Sequence, residues 1–309
     1  MTESTLGVAE NAGLLHRFRL IAADIKLSHS IFALPFALWA SFIAAGLDGR
    51  LPTAAAIALV VACMVIGRTF AMTINRWADA GFDAANPRTA GRALPSGRLG
   101  AGAMLSAASI SGLLFVLAAA MFWMLENNIW PLLLSPLVLA WLAVYSFAKR
   151  FTWGCHLILG AALALGPLAA AVAVHPPAVL DASLLLLAAM VLCWVAGFDV
   201  LYALQDAEID RRDGLFSIPA NLGPTTAVHI SRGLHAAAVT ALALTVWISP
   251  LLGWITGAAA LAVALLLLLE HLIIRQSGVR RLHLAFFTLN AIVSLLLGAA
   301  GIVDVWLST

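Results

Sequence analysis

Residues 75–83 read Asn75-Arg76-Trp77-Ala78-Asp79-Ala80-Gly81-Phe82-Asp83. Asn75, Asp79 and Asp83 are each four residues apart, so on a helix their side chains stack along one face. The stretch closes an apolar run, 53–75, long enough to cross a bilayer. A second acidic set, Asp199, Asp206 and Asp210, closes another apolar run at 182–203. It repeats the step of four, with Asp199 seven residues before Asp206 and expected on the same face. Carboxylates within lipid-soluble helices are costly and mark function. Two such stripes placed face to face predict a cage for a hard divalent cation.

The surrounding chain is a membrane protein by composition. Of 309 residues, 63% are hydrophobic and 10% charged, against roughly 25% charged in soluble domains. A net charge of +2 spread along the chain gives no nucleic-acid reading. Apolar runs at 27–47, 53–75, 99–124, 130–148, 156–174, 182–203, 225–247, 251–272 and 284–306 predict an all-α polytopic protein of about nine transmembrane helices. Pro35, Pro136 and Pro167 fall inside these runs and predict kinks. Cys63, Cys155 and Cys193 lie far apart without metal-ligand spacing and read as buried structural thiols.

Nine spans put the termini on opposite sides, and the charges choose which. Arg17, Arg19, Lys26, Arg88, Arg92, Arg98, Lys149, Arg150, Arg211, Arg212, Arg275, Arg280 and Arg281 all flank one set of span ends, and the opposite loops carry only Arg50. The positive-inside rule therefore expects the N-terminus and the acidic clusters in the cytoplasm. Trp123, Trp130, Trp247, Trp254 and Trp306 fall near the other ends, as an interfacial aromatic belt does. The expected organisation is a cytoplasmic N-terminal segment, 1–26, whose Glu3 and Glu10 do not suit a cleaved signal peptide, and one transmembrane domain, 27–309. The unit of span, acidic loop and span occurs twice and reads as a diverged internal repeat.

Several residues have plainer readings. Arg68 and Arg232 snorkel, and Arg275, Arg280 and Arg281 set topology. His29, His156, His229 and His235 have no paired metal spacing and read as polar contacts. Glu208 and Asp213 read as solvated loop charges. Asn75 admits a role as an interhelical hydrogen-bonding residue, but its spacing to two aspartates favours a ligand.

The acidic clusters sit beside arginines. Carboxylates hold Mg2+, which shares its remaining positions with substrate phosphates, and arginines clamp phosphate oxygens. The combination predicts a diphosphate bound through magnesium. The full pattern, Asn75-x-x-x-Asp79-x-x-x-Asp83, then Arg88-Thr89-x-x-Arg92-x-Leu94-Pro95-Ser96-Gly97, then Asp199-x-x-Tyr202-x-x-Gln205-Asp206-x-x-x-Asp210, resembles the UbiA superfamily of intramembrane aromatic prenyltransferases. The resemblance covers nearly the whole chain and extends to the helix count.

That resemblance implies a central cavity under a cytoplasmic cap of loops, in a multi-pass protein of the bacterial inner membrane. It implies an Mg2+-dependent transferase that moves a polyprenyl group from polyprenyl diphosphate to a hydroxyaryl carboxylate. The branch it resembles most acts on 4-hydroxybenzoate in quinone biosynthesis. The segments Phe32 to Ala37, Asn86 to Thr89 and Ser217 to Ala220 also resemble enzymes acting on 1,4-dihydroxy-6-naphthoate for menaquinone. The implied metal ligands are Asn75, Asp79, Asp83, Asp206 and Asp210. Arg88, Arg92, Lys149 and Arg212 are implied for the diphosphate, Tyr202 for shielding an allyl cation, Asp199 for the phenol or a proton, and Arg150 for the arene carboxylate. Two departures stand out: Arg76, where many members carry a second acid, and Ala93, where many carry proline. A secondary transporter is the rival reading, but carrier charges belong near the bilayer midplane, and both clusters here fall at one end.

Overall fold

The computed structural model describes residues 13–25, 32–277 and 288–309. Within them the elements are α1 (Leu14–Asp24), α2 (Leu34–Gly46), α3 (Ala54–Ala78), α4 (Ala80–Ala85), α5 (Ala101–Glu126), α6 (Trp130–Val144), α7 (Cys155–Val174), α8 (Ala182–Tyr202), α9 (Ala207–Arg212), α10 (Ile218–Leu222), α11 (Pro224–Ile248), α12 (Trp254–Ser277) and α13 (Asn290–Ser308), with short 3-10 turns at Tyr145–Arg150, Pro176–Leu180 and Ala203–Gln205. No strand occurs among the described residues. Among the described residues eight helices are long and apolar enough to cross a membrane, which makes this a multi-pass membrane protein. Helices are the expected solution, because hydrocarbon offers no partner to an unpaired backbone group. The first expected span, 27–47, is represented by α2, whose 13 residues extend about 20 Å. Lys26, His29, Arg280 and Arg281 lie outside the described residues, as do Glu3, Glu10 and about half of the 1–26 segment.

Local chemistry sets the helix starts. Thr53 Oγ1 accepts from Ala56 N at 3.0 Å to cap α3, and an Asp181 carboxylate oxygen accepts from Ser183 N at 2.9 Å to cap α8. Pro35 does not kink a span: it occupies the first turn of α2, where its missing N–H costs nothing. Pro136 and Pro167 are interior, in α6 and α7.

At the end remote from the acidic clusters, polar side chains tie the helices together. Thr53 donates to Glu126 at 2.5 Å, Arg50 to Val174 O at 2.9 Å, and Asn128 to Val172 O at 2.8 Å. The five tryptophans expected there are all exposed, as a belt in contact with lipid headgroups requires.

The bundle has two unlike halves. Around α2, α8 and α13 the packing is dense: Phe36, Trp39, Leu187, Trp194 and Leu297 are fully buried, and the Trp194 ring meets Phe36 and Phe198 edge-on at 5.4 and 5.1 Å. Around α3, α5, α6 and α7 the helices enclose a cavity of about 1300 Å3. From Val60 to Asn75 the α3 face lines it, a depth of about 22 Å.

Candidate active site

The cavity is apolar in its depth, where Val60, Phe115, Phe122, Leu134 and Leu163 line it, and polar at one mouth. Both acidic clusters reach that mouth, each through a helix break. α3 ends at Ala78, Asp79 sits at the junction with φ −89° and ψ 4°, and α4 carries Asp83. In the second limb α8 ends at Tyr202, a 3-10 turn follows, Asp206 sits at the junction with φ −105° and ψ 2°, and α9 carries Asp210. The expected continuous stripes are therefore interrupted. The step of four survives as backbone bonds: Asp79 N to Asn75 O (2.9 Å), Asp83 N to Asp79 O (2.8 Å) and Asp210 N to Asp206 O (2.7 Å). A 3-10 turn, with three residues per turn rather than 3.6, separates Asp199 from Asp206, yet all three aspartates of the second limb line the cavity.

α4 and α9 are both six residues long and both begin after an aspartate. The loops that follow turn on Gly97 (φ +75°) and Gly214 (φ +68°), conformations that favour glycine. The internal repeat is thus visible in the backbone.

At the mouth the carboxylates are answered by basic side chains. Arg88 grips Asp206 with two bonds, Nε to Oδ1 at 3.2 Å and Nη2 to Oδ2 at 2.5 Å, the bidentate geometry in which arginine excels. Asn86 aims Arg88: its Oδ1 accepts from Arg88 N at 2.9 Å while its Nδ2 donates to Asp206 Oδ1 at 3.2 Å. Arg92 meets Asp83 at 2.5 Å, Lys149 meets Asp210 at 3.0 Å, and Arg150 lies 3.6 Å from Asp79. Arg150 also donates to Ala78 O at 2.5 Å and stacks between Phe82 and Phe147. Tyr202 lies 5.6 Å beneath the Arg88 guanidinium, which donates to its hydroxyl at 3.2 Å.

Burial, then the nearby Asp83 charge, pushes the Asp79 carboxyl above its ordinary value, against the pull of Arg150, Lys149 and Arg76. Burial opposes the charge on Arg88, but the Asp206 hydrogen bonds and charge outweigh it and hold Arg88 protonated more firmly than a free guanidinium.

Asp199 faces the cavity, and its Oδ2 lies 2.7 Å from Nδ1 of the fully buried His156. Ile218 N donates to the other ring nitrogen, Nε2, at 3.2 Å. With Nε2 accepting, Nδ1 carries the proton and donates it to Asp199, which fixes the tautomer.

Eleven of the twelve residues expected at the site line the cavity. Arg212 does not. It pairs with Asp213 at 2.7 Å on the surface and is mostly exposed. The residues sequence reasoning passed over are His156, read as a generic polar contact, Asn86, quoted in the pattern without a role, and Asp24. Arg68, Cys63 and Cys155 also line the cavity, and of the three thiols expected to be buried, Cys155 is buried while Cys63 and Cys193 are half-buried. Ala93 gains a reason: its N–H donates to Asp24 Oδ1 at 3.3 Å, a bond that proline at that position lacks.

Among the described residues no group of three His, Cys, Asp or Glu side chains converges to hold a metal by itself. The basic partners stand between the carboxylates. The donor chemistry nevertheless fits a hard cation, since Asp79, Asp83, Asp206 and Asp210 offer oxygens alone.

Comparison with known proteins agrees with this arrangement. The model of the UbiA prenyltransferase family matches residues 33–302. The chain is 30% identical over 262 residues to a 4-hydroxybenzoate octaprenyltransferase of Idiomarina loihiensis, covering 84% of this chain and 87% of that one. It is 31% identical to the protein of that name from Citrobacter koseri, covering 79% and 78%. Among solved structures, a UbiA homolog from Aeropyrum pernix K1 in its apo form superposes with a TM-score of 0.81 at 34% identity, over 90% of this chain and 98% of that one. A UbiA homolog from Archaeoglobus fulgidus bound to DMAPP and Mg2+ shares the fold, with a TM-score of 0.71 at 18% identity over 94% and 99%. The two-limbed acidic mouth, the membrane helices beneath it and these likenesses together identify the chain as a member of the UbiA prenyltransferase family.

Proposed function

We propose that this protein transfers a polyprenyl group from polyprenyl diphosphate to the ring of a hydroxyaryl carboxylate, with 4-hydroxybenzoate the leading acceptor, in quinone biosynthesis. The observation that carries this reading is the set of four carboxylate–cation pairs closing the mouth of a deep apolar cavity. A hydrocarbon tail suits the depth, and a diphosphate suits the mouth. The relatives named above supply the arene, and the DMAPP and Mg2+ bound by the Archaeoglobus fulgidus protein support the donor and the metal.

Seven carboxylates and six basic side chains line the cavity, so a bare diphosphate meets almost no net attraction. An exchange of partners resolves this. Arg88, Arg92 and Lys149 turn from carboxylate to phosphate oxygens, which frees Asp206, Asp83 and Asp210; with Asp79 these are the residues that would hold Mg2+. When bound, Mg2+ supplies Lewis-acid neutralisation of the leaving diphosphate. The allylic carbon–oxygen bond breaks with its electron pair going to diphosphate. The Tyr202 ring and the apolar wall shield the allyl cation from water. A ring carbon of the arene then forms the new carbon–carbon bond and loses its proton. Asp199, oriented by His156, stands on the cavity wall to accept it. Arg150 and the deeper Arg68 are the cations positioned for the arene carboxylate. Leu137 and Trp141 of α6 line the cavity and are exposed, which favours a side opening where a long tail passes into lipid. The arginine bias of the polar end and the tryptophans of the other favour a bacterial inner-membrane protein with this mouth in the cytoplasm.

The test is direct. Purified protein receives Mg2+, a polyprenyl diphosphate, and either 4-hydroxybenzoate or 1,4-dihydroxy-6-naphthoate, with products read by mass. The expected product is the prenylated 4-hydroxybenzoate. Asp79→Ala and Asp206→Ala each lower turnover by about a thousandfold, roughly 4 kcal/mol, while inserting normally. Full turnover in both variants sinks the mechanism, and product from the naphthoate alone moves the protein to the menaquinone branch.

A further inference from the structure

Two glycines on the cavity wall each carry a large side chain from a facing helix. A Cβ on Gly166 of α7 would lie 3.2 Å from Met64 Cε and 3.6 Å from its Sδ, so the thioether of Met64, on α3, rests against the bare backbone of α7. A Cβ on Gly67 of α3 would lie 3.1 Å from Cε2 of Phe115, on α5. Met64, Gly67, Phe115 and Gly166 all line the cavity. Met64 and Gly67 are three residues apart and share a face of α3. The two contacts thus form a waist at one level of the cavity. Its Phe115 wall is a stiff ring, and its Met64 wall is an unbranched chain that adapts its shape.

The cavity continues past the waist. Val60 lies one turn beyond Met64, Phe122 two turns beyond Phe115, and Ala173 two turns beyond Gly166, and all three line it. The waist divides an outer chamber, which holds the charged mouth, from an inner chamber with apolar walls. Met64 is eleven residues from Asn75, about 16 Å along α3. An extended chain advances roughly 1.2 Å per bond. A geranyl tail, about seven bonds along its main chain, then spans about 8 Å and ends in the outer chamber. A geranylgeranyl tail, about fifteen bonds long, spans about 18 Å and meets Met64.

We propose that Met64, seated on Gly166, is the gate through which the cavity discriminates donor tail length. Tails of about three isoprene units or fewer stop short of it, and longer ones displace its thioether to enter the inner chamber. This rests on the prenyl-transfer reading of the cavity and deepens it.

The experiment gives the full-length protein Mg2+, geranyl or geranylgeranyl diphosphate, and whichever of 4-hydroxybenzoate and 1,4-dihydroxy-6-naphthoate the wild type prenylates. The measured quantity is the ratio of kcat/KM for geranyl over geranylgeranyl diphosphate, which cancels a general loss of active protein. Gly166→Ala adds the Cβ that crowds the Met64 methyl, the movable end of a flexible side chain. It is expected to raise the ratio at least about fivefold, somewhat less than one methylene group is worth in a tight apolar pocket. The double variant Gly166→Ala, Met64→Ala is expected to return the ratio to within about twofold of the wild type. An unchanged or lower ratio in Gly166→Ala overturns the proposal. So does a raised ratio that persists in the double variant, since the added methyl then acts without Met64. Gly166 precedes Pro167, and an alanine Cβ there crowds the proline ring. Should Gly166→Ala fail to fold, Met64→Phe decides: a ratio raised at least about fivefold supports the gate, and an unchanged one overturns it. Wild-type protein that prenylates neither acceptor with either donor removes the prenyl-transfer reading and the gate with it. Turnover of both donors with a ratio unmoved by the variants removes the gate alone.

Discussion

Arg76 and Ala203 occupy matching places in the two acidic limbs, three residues before Asp79 and Asp206. The first limb carries two cations of its own, Arg76 on α3 and Arg92 on its following loop, which meets Asp83, and takes Arg150 from the 3-10 turn after α6 for Asp79. The second borrows. Asp206 is held by Arg88 and Asn86 from the first limb's loop, and Asp210 by Lys149 from the 3-10 turn after α6. The backbones repeat and the electrostatics do not. What this teaches is that both limbs draw a cation from the turn after α6, Arg150 for Asp79 and Lys149 for Asp210, but only the second also depends on the other limb's loop.

The largest effect that tests this difference belongs to Arg88. Arg88→Ala leaves the buried Asp206 carboxylate without its bidentate partner and removes a proposed phosphate clamp. The Arg88 side chain is more than a third exposed, so water compensates part of the stability loss. The chemical loss is not compensated. The kcat/KM for polyprenyl diphosphate is expected to fall by about 100- to 1000-fold, roughly 3–4 kcal/mol. Arg88→Lys restores little of it, because an ammonium cannot grip two oxygens in a plane. A fall under about tenfold in Arg88→Ala would show the limbs working independently and break the comparison.

A smaller effect sharpens the first limb. Asp79 has its pKa raised by burial and by Asp83. It therefore takes up a proton more readily folded than unfolded. Lowering the pH through the raised value stabilises the free protein while abolishing the charge proposed to hold the metal. The acid limb of kcat/KM against pH is expected above the ordinary carboxylate range. Because Arg150 pulls the value down, Arg150→Met should move that limb to still higher pH. A profile unmoved by Arg150→Met means that Asp79 does not set it.

Much of this was legible in the sequence. The expected run 156–174 is α7 at Cys155–Val174, and 182–203 is α8 at Ala182–Tyr202, because a long apolar segment has little choice but helix. The acidic spacing located the mouth. It did not disclose the breaks at Asp79 and Asp206: i to i−4 bonds run through the first, and at the second Asp206 N turns to Ala203 O before Asp210 N resumes the step of four to Asp206 O. Nor did it disclose which cation meets which acid. Arg88 and Asp206 are 118 residues apart, and that meeting is decided by packing rather than by local pattern. His156 was hidden for the same reason, as a lone histidine whose partners, Asp199 and Ile218 N, lie on other elements.

The smallest effect belongs to Arg212, the second limb's cation that reaches back towards the first. Residues two apart on a helix do not share a face. Two places after Asp210, the Arg212 side chain leaves the stripe that Asp206 and Asp210 define. It pairs with Asp213 and reaches Ala85 O of the first limb at 3.4 Å, outside the cavity. Arg88 crosses between limbs inside the cavity, against a buried carboxylate; Arg212 crosses outside it, in contact with solvent. An exposed pair contributes little, so Arg212→Ala is expected to keep kcat/KM within about twofold of the wild type. A tenfold loss would place the diphosphate further out than the cavity, in the seam between α4 and α9, and would make the outer crossing equal in weight to the inner one.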